Sequence, residues 1–105
     1  MLRFFFRPLR AVLRWLRKQY LFTKLQSGNY DRRFEAGYAL EKGFGPSAVA
    51  GLIYLLRHEN PDVRHDVAYT LEKITGKYNG EDSRAWRTWW RANRKRVIKK
   101  YYSTR

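Results

Sequence analysis

His58 and His65 are the only histidines in this 105-residue chain, and it contains no cysteine. A transition-metal site needs three or four nitrogen, sulfur or carboxylate ligands on converging elements. Nothing around this pair completes such a set, so both histidines read as surface or packing residues. The lack of cysteine also removes disulfides, thiol catalysis and thiolate zinc. Ser27, Ser47, Ser83 and Ser103 have no nucleophile setting such as G-x-S-x-G. Gly43, Gly45 and Gly51 do not form a phosphate-binding loop. The acidic residues fall at helix starts and repeat positions. No catalytic, cofactor or metal site is assigned, and a non-enzymatic protein with no small-molecule substrate is expected.

What remains for chemistry is cationic and aromatic. The chain carries a net charge of +14, with 4 Trp, 8 Tyr and 6 Phe. The charge is segregated: residues 1–27 sum to +7 with no anion, residues 28–80 to zero, and residues 81–105 to +7. Two basic ends around a neutral middle point to an anionic partner, because clustered cations attract nucleic acid or acidic lipid. The candidate contacts are Arg3, Arg7, Arg10, Arg14 and Arg17 at one end, and Arg87, Arg91, Arg94, Lys95, Arg96, Lys99 and Lys100 at the other.

The neutral middle supplies the elements that must position these ends. Residues 29–45, NYDRRFEAGYALEKGFG, match residues 60–76, NPDVRHDVAYTLEKITG, at eight of 17 positions with an offset of 31. A fixed period in this range marks a stacked-repeat architecture. Asn60 suits a helix N-cap, Pro61 the first helical position, and Asp62 the positive end of the helix dipole. Asn29, Tyr30 and Asp31 repeat that order without the proline. Val63, Val67, Leu71 and Ile74 form an apolar stripe, and Ala36, Gly37 and Leu40 fill the equivalent stripe one unit earlier. The small residues Gly37 and Ala68 allow a neighbouring helix to approach closely. Lys42-Gly43 and Lys73…Gly76 end their helices as cations and glycine usually do. Between the units, Pro46 or Ser47 starts a helix with the stripe Val49, Leu52, Ile53 and Leu56. The short run LIYLL could form a strand, but the repeat context favours helix.

The segment PSAVAGLIYLLRHENPDVRHDVAYTLEKI resembles a HEAT repeat of the short class named after phycobilisome lyases. The resemblance covers residues 29–77. It implies pairs of antiparallel helices stacked into a superhelix. It also implies that Asp31, Arg33, Asp62 and Arg64 link adjacent repeats rather than bind a ligand. Repeats of this kind serve mostly as scaffolds and adaptors. The few enzymes named for them attach bilins, chemistry that no residue here supports.

In KYNGEDSRAWRTWWRAN, residues 77–93, Asn79-Gly80 is a turn and Asp82 or Ser83 a cap. Trp86, Trp89 and Trp90 then share one helix face, continued by Val97 and Tyr101. Arg84, Arg87, Arg91, Arg94, Lys95 and Lys99 share the other. The tryptophans can cover the end of the last repeat, which would otherwise meet water; Trp86 and Trp90 are assigned that role. Alternatively, tryptophan and arginine can stack on bases and hold phosphates. The T-G-x-x-x-G…W-x-x-W ending is similar to that of small bacterial HEAT-like proteins, which favours the cap. RANRKRVIKK lies outside that pattern and is the better functional candidate.

In residues 1–24, Leu2, Phe5, Phe6, Leu9, Val12, Leu13, Leu16 and Tyr20 make one helical face and the arginines the opposite one. Six cations by Lys18 exclude a simple membrane span. Arginine interrupts every apolar stretch long enough for a secretion signal, and no A-x-A site follows. A mitochondrial presequence fits better in its arginines, but serine is nearly absent. Three roles stay open. The helix can bury its apolar face on residues 29–43, lie on an anionic bilayer, or act as a nucleic-acid arm. In each, the arginines face outward. Pro8 is expected to start or kink the regular helix, which leaves Phe4, Phe5 and Phe6 as a hydrophobic partner contact outside it.

The expectation is an all-α protein, a short HEAT-like solenoid of about two and a half antiparallel pairs. Its five helices lie near residues 8–26, 30–43, 46–58, 61–75 and 82–101. Residues 1–27 form a basic amphipathic helix, 28–77 the repeats, and 78–105 a Trp-rich cap with a basic tail. The expected role is a non-enzymatic scaffold or adaptor, cytoplasmic and peripheral at a membrane or held within a larger assembly. The alternative is a nucleic-acid or ribonucleoprotein binder acting through the C-terminal helix.

Overall fold

The computed structural model describes the backbone of residues 2–104 and the side chains of residues 8–104. Five α-helices follow one another: α1 (Leu2–Leu25), α2 (Tyr30–Gly43), α3 (Val49–Leu55), α4 (Pro61–Thr75) and α5 (Ser83–Ser103). A 3-10 turn over Gly45–Ala48 leads into α3. Pro46 near the start of that turn suits it, because its fixed φ and missing N–H cost nothing in a first turn. Among the described residues there is no strand.

The predicted caps form. The Asn29 side chain accepts from the Arg32 N–H, Asn60 from the Asp62 N–H, and Asp82 from the N–H groups of Arg84 and Ala85. The two repeat loops are also built alike. The Ser27 hydroxyl accepts from the Asn29 N–H and His58 Nδ1 from the Asn60 N–H, at positions 31 residues apart. His58 is thus occupied by its own loop.

The core is a single cluster. Val63, Val67 and Leu71 from α4 meet Leu40 and Ala36 from α2, and Val49 and Leu52 from α3. Leu21 and Leu25 close one side and Trp86 the other. Helix α2 lies beside both α1 and α4, α3 packs on α4, and α5 reaches α3 and the 3-10 turn. Helices α2 and α4 run parallel: Arg33 meets Asp66, and a Cβ at Gly37 would lie 2.7 Å from Thr70 Oγ1, so the register offset is the same at both points. Gly37 therefore permits the close approach that its small size implied.

Arg33 and Arg64 do link neighbouring elements, but not through the expected aspartates. Arg33 is buried and donates to Asp66 at 2.6 Å and to the Ser27 carbonyl at 2.9 Å. Arg64 donates to Glu81 at 3.1 Å and to the His58 carbonyl at 2.9 Å. The acceptors lie within α4 and before α5, while Asp31 and Asp62 sit in the first turns of α2 and α4. Arg33→Ala should cost about 2–3 kcal/mol, because it strands a mostly covered carboxylate and a loop carbonyl. Arg64→Ala should cost about 1 kcal/mol or less, since Glu81 is 43% exposed and solvated without its partner. Urea midpoints of the two variants will separate them.

The largest departure from expectation is α1. Its backbone is helical from Leu2, with Pro8 inside rather than at the start. Phe4, Phe5 and Phe6 thus belong to the helix, although their side chains lie outside the described residues. The apolar face is not buried on residues 29–43: Leu9, Val12, Leu13, Leu16 and Tyr20 are each about half exposed, and of these Leu13 borders a shallow groove with Tyr38, Ala39 and Lys42. The face turned to the body carries Arg14, Lys18, Leu21, Phe22 and Leu25. Only its last two turns supply apolar core.

Candidate functional site

The docked face of α1 explains why two cations point inward. Helix α2 ends at Gly43, leaving carbonyls without helical partners. Arg14 donates to the Gly43 carbonyl at 3.2 Å, and its guanidinium lies 4.4 Å from the Phe44 ring centroid. Lys18 donates to the Ser47 carbonyl at 3.3 Å. Cations at a helix C-terminus also oppose its partial negative charge. In the last turn of α1, Lys24 binds Glu35 at 2.8 Å, and that contact holds the Glu35 carboxyl below its ordinary pKa. The expectation that the arginines all face outward is therefore corrected: Arg14 is a docking residue. Arg10 and Arg17 remain exposed, and the side chains of Arg3 and Arg7 lie outside the described residues.

On a helix of 3.6 residues per turn, Leu9, Val12, Leu13, Leu16 and Tyr20 fall about half a turn from Arg14, Lys18, Leu21 and Leu25. Most of the stripe therefore faces away from the protein, while Leu13 stands at its edge above Tyr38 and Ala39. Trp15 beside it is 56% exposed, which places an indole next to the stripe. Arg10 and Arg17 flank it on the other side. The result is a free amphipathic surface: a narrow apolar band with an aromatic edge and a cationic edge.

At the other end, Trp86 is fully buried and its Nε1–H donates to the Gly80 carbonyl at 2.8 Å. Trp89 and Trp90 are partly buried against the core, and Trp89 meets Trp86 edge-on at 5.8 Å. All three tryptophans are committed to packing, including Trp89, which was not assigned to the cap. Arg87, Arg91, Arg94, Lys95, Arg96, Lys99 and Lys100 lie along the exposed side of α5, with Arg96 donating to Asn93. Their surface is cationic without a stacking platform of tryptophans. Tyr101 returns to the body, and its hydroxyl donates to the Lys42 carbonyl at 3.3 Å. Both basic ends thus converge on the C-terminus of α2.

One feature was missed from the sequence. Between α2 and α4 lies a groove of about 600 Å³ whose walls carry Tyr30, Phe34, Tyr38 and Tyr69. These rings are 49–63% exposed. Their signal was present as aromatics four residues apart, at positions 30, 34 and 38, and as a Tyr-x-x-x-Lys repeated 31 residues later.

No His, Cys, Asp or Glu cluster among the described residues could hold a metal ion. Among the same residues, no helix is long and apolar enough to cross a membrane. No family model, curated protein or solved structure matches the chain.

Proposed function

We propose that this protein is a non-enzymatic interaction module, a short HEAT-like α-solenoid that rests on an anionic bilayer through α1. The exposed stripe of α1 carries the reading. A surface helix of a globular protein normally turns its apolar side to the core, whereas α1 docks by cations and two final turns and leaves the stripe free. Interfacial helices have this character: an apolar band with aromatics, bordered by arginines that meet lipid headgroups. A phosphate backbone would satisfy the cations but offers nothing to cover Leu9, Leu13 and Leu16. That difference favours lipid over nucleic acid as the first partner of α1. The solenoid reading draws on the parallel α2 and α4 and on the equivalent loop contacts 31 residues apart.

Co-flotation with phosphatidylserine-containing and pure phosphatidylcholine vesicles tests the proposal. Anionic vesicles should carry the protein up and neutral ones much less, with binding falling as salt screens the arginines. Leu13→Glu with Leu16→Glu should weaken vesicle binding at least tenfold. Each leucine contributes about 1.5–3 kcal/mol when it leaves water, and about 1.4 kcal/mol is a factor of ten. The melting temperature should hold, because both leucines are exposed in the fold. Unchanged vesicle binding by the double variant, or duplex RNA binding that outcompetes the anionic vesicles, would sink this reading.

A further inference from the structure

We infer that the groove between α2 and α4 is a second docking site, for an extended peptide segment with alternating apolar side chains and an acidic end. The site shares Tyr38 and Lys42 with a shallow groove that Leu13 and Arg17 of α1 border, but it does not depend on the bilayer reading.

The internal repeat supplies the first observation. Most positions shared by the two units have a structural reason: Asn29 and Asn60 cap, Arg33 and Arg64 bridge, Leu40 and Leu71 fill the core. Tyr38 and Tyr69 do not, being 56% and 49% exposed. Lys42 and Lys73 sit in the last turns of α2 and α4, where a cation suits the helix end, and their ammonium groups also lie 5.8 Å and 5.3 Å from the centroids of those same rings. Because α2 and α4 run parallel, both Tyr–Lys pairs stand toward one end of the groove.

The shape supplies the second. Tyr30, Phe34 and Tyr38 climb α2 at intervals of about 6 Å, four residues at 1.5 Å each. Two residues of extended chain cover about 6.6 Å, and every second side chain points the same way. A peptide lying along the groove therefore presents one side chain to each gap between rings. Gly37 and Thr70 line the floor, where the absence of a Cβ on Gly37 makes room for Thr70 and holds α2 close to α4. Exposed tyrosines clustered around a groove are the composition of an interface hot spot.

Charge selects the occupant. Asp66 is held by Arg33, and Glu41 lies 3.5 Å from Lys42. Lys73 adds a further positive charge at the same end, on a chain whose net charge is +14. A carboxylate at that end of the peptide complements it. A single nucleic-acid strand fits less well, since strand-binding grooves are positive along their whole length, whereas here Arg33 and Lys42 are already paired with Asp66 and Glu41 and the added positive charge of Lys73 stands at one end.

The probe is a fluorescein-labelled peptide, Leu-Pro-Leu-Pro-Leu-Glu-Glu with an amidated end, read by anisotropy against the full chain. The prolines hold it extended. It should bind saturably, a version ending in Lys-Lys should not, and oligothymidylate should not displace it. Phe34→Ala and Tyr38→Ala should each weaken binding at least fivefold, the loss expected of a contributing interface residue, and Lys73→Glu more. Thermal melts should stay near that of the parent protein, because these side chains are exposed. Three results would each overturn the assignment: no saturable binding up to about 1 mM, the limit of a weak specific complex; affinity unmoved by Phe34→Ala and Lys73→Glu; or tighter binding by oligothymidylate. Vesicle flotation of Phe34→Ala should match the parent, which keeps the fate of this site distinct from that of α1.

Discussion

Trp86→Ala should lower stability by about 3–5 kcal/mol, the cost of truncating a fully buried aromatic side chain. No other fully buried side chain among the described residues is larger. It joins α5 to the core formed by α2, α3 and α4, with Trp89 packed edge-on against it. Its Nε1–H also holds the Gly80 carbonyl, so removal of the ring frees the turn that leads into α5. A domain of this kind has about 5–15 kcal/mol in total, so the variant should sit near its unfolding threshold. At about 4–8 °C per kcal/mol for small domains, the melting temperature should drop by tens of degrees. Trp86→Phe keeps most of the ring but loses the hydrogen bond, and should cost clearly less. A loss below about 1 kcal/mol for Trp86→Ala would mean that α5 is not anchored through this residue.

Local signals were readable in the sequence where local physics decides. Asn29, Asn60 and Asp82 cap their helices because a short polar side chain before a helical stripe has a backbone N–H within reach. The stripes of α3 and α4 lie in the core at every position assigned, because each of these helices has a single apolar side. Helix α1 broke this logic. Its strongest stripe is the free one, and the docked side is marked only by Leu21, Phe22 and Leu25 in the last two turns. Arg14 and Lys18 complete that side by binding carbonyls at the end of α2 and in the 3-10 turn that follows, and a cation in a sequence does not announce that it faces inward. The acceptors of Arg33 and Arg64 were hidden for a related reason. Asp66 becomes the partner of Arg33 only through the register of two parallel helices, a relation between elements rather than a spacing within one. The aromatic groove was overlooked because Tyr30, Phe34 and Tyr38 occupy positions that are ordinary helix surface until α4 is placed beside them.

Gly45 and Gly76 offer a test of how the two basic ends are brought together. They are equivalent positions of the repeat, and both have left-handed backbones, with φ of 54° and 75°. An L-residue pays roughly 1–2 kcal/mol in that region. Around Gly76 the space is open, so Gly76→Ala should cost about that and no more. At Gly45 a methyl group would run into the Tyr101 ring, which packs on the backbone there. Gly45→Ala should therefore add an overpacking term of about 1–3 kcal/mol to the same backbone cost. The excess belongs to Tyr101, and a double-mutant cycle isolates it: in a Tyr101→Ala background, Gly45→Ala and Gly76→Ala should cost the same. Equal losses in the parent protein would mean that α5 is not seated on the 3-10 turn. The seat matters beyond stability. Tyr101 and Arg14 donate to neighbouring carbonyls at the end of α2, so α1 and α5 share one anchoring point. Displacing Tyr101 should free the C-terminal turns of α5 while α1 keeps its own contacts. In Gly45→Ala, amide exchange should therefore quicken in the last turns of α5 and remain as it is around Leu21 and Leu25, which stay packed against α2.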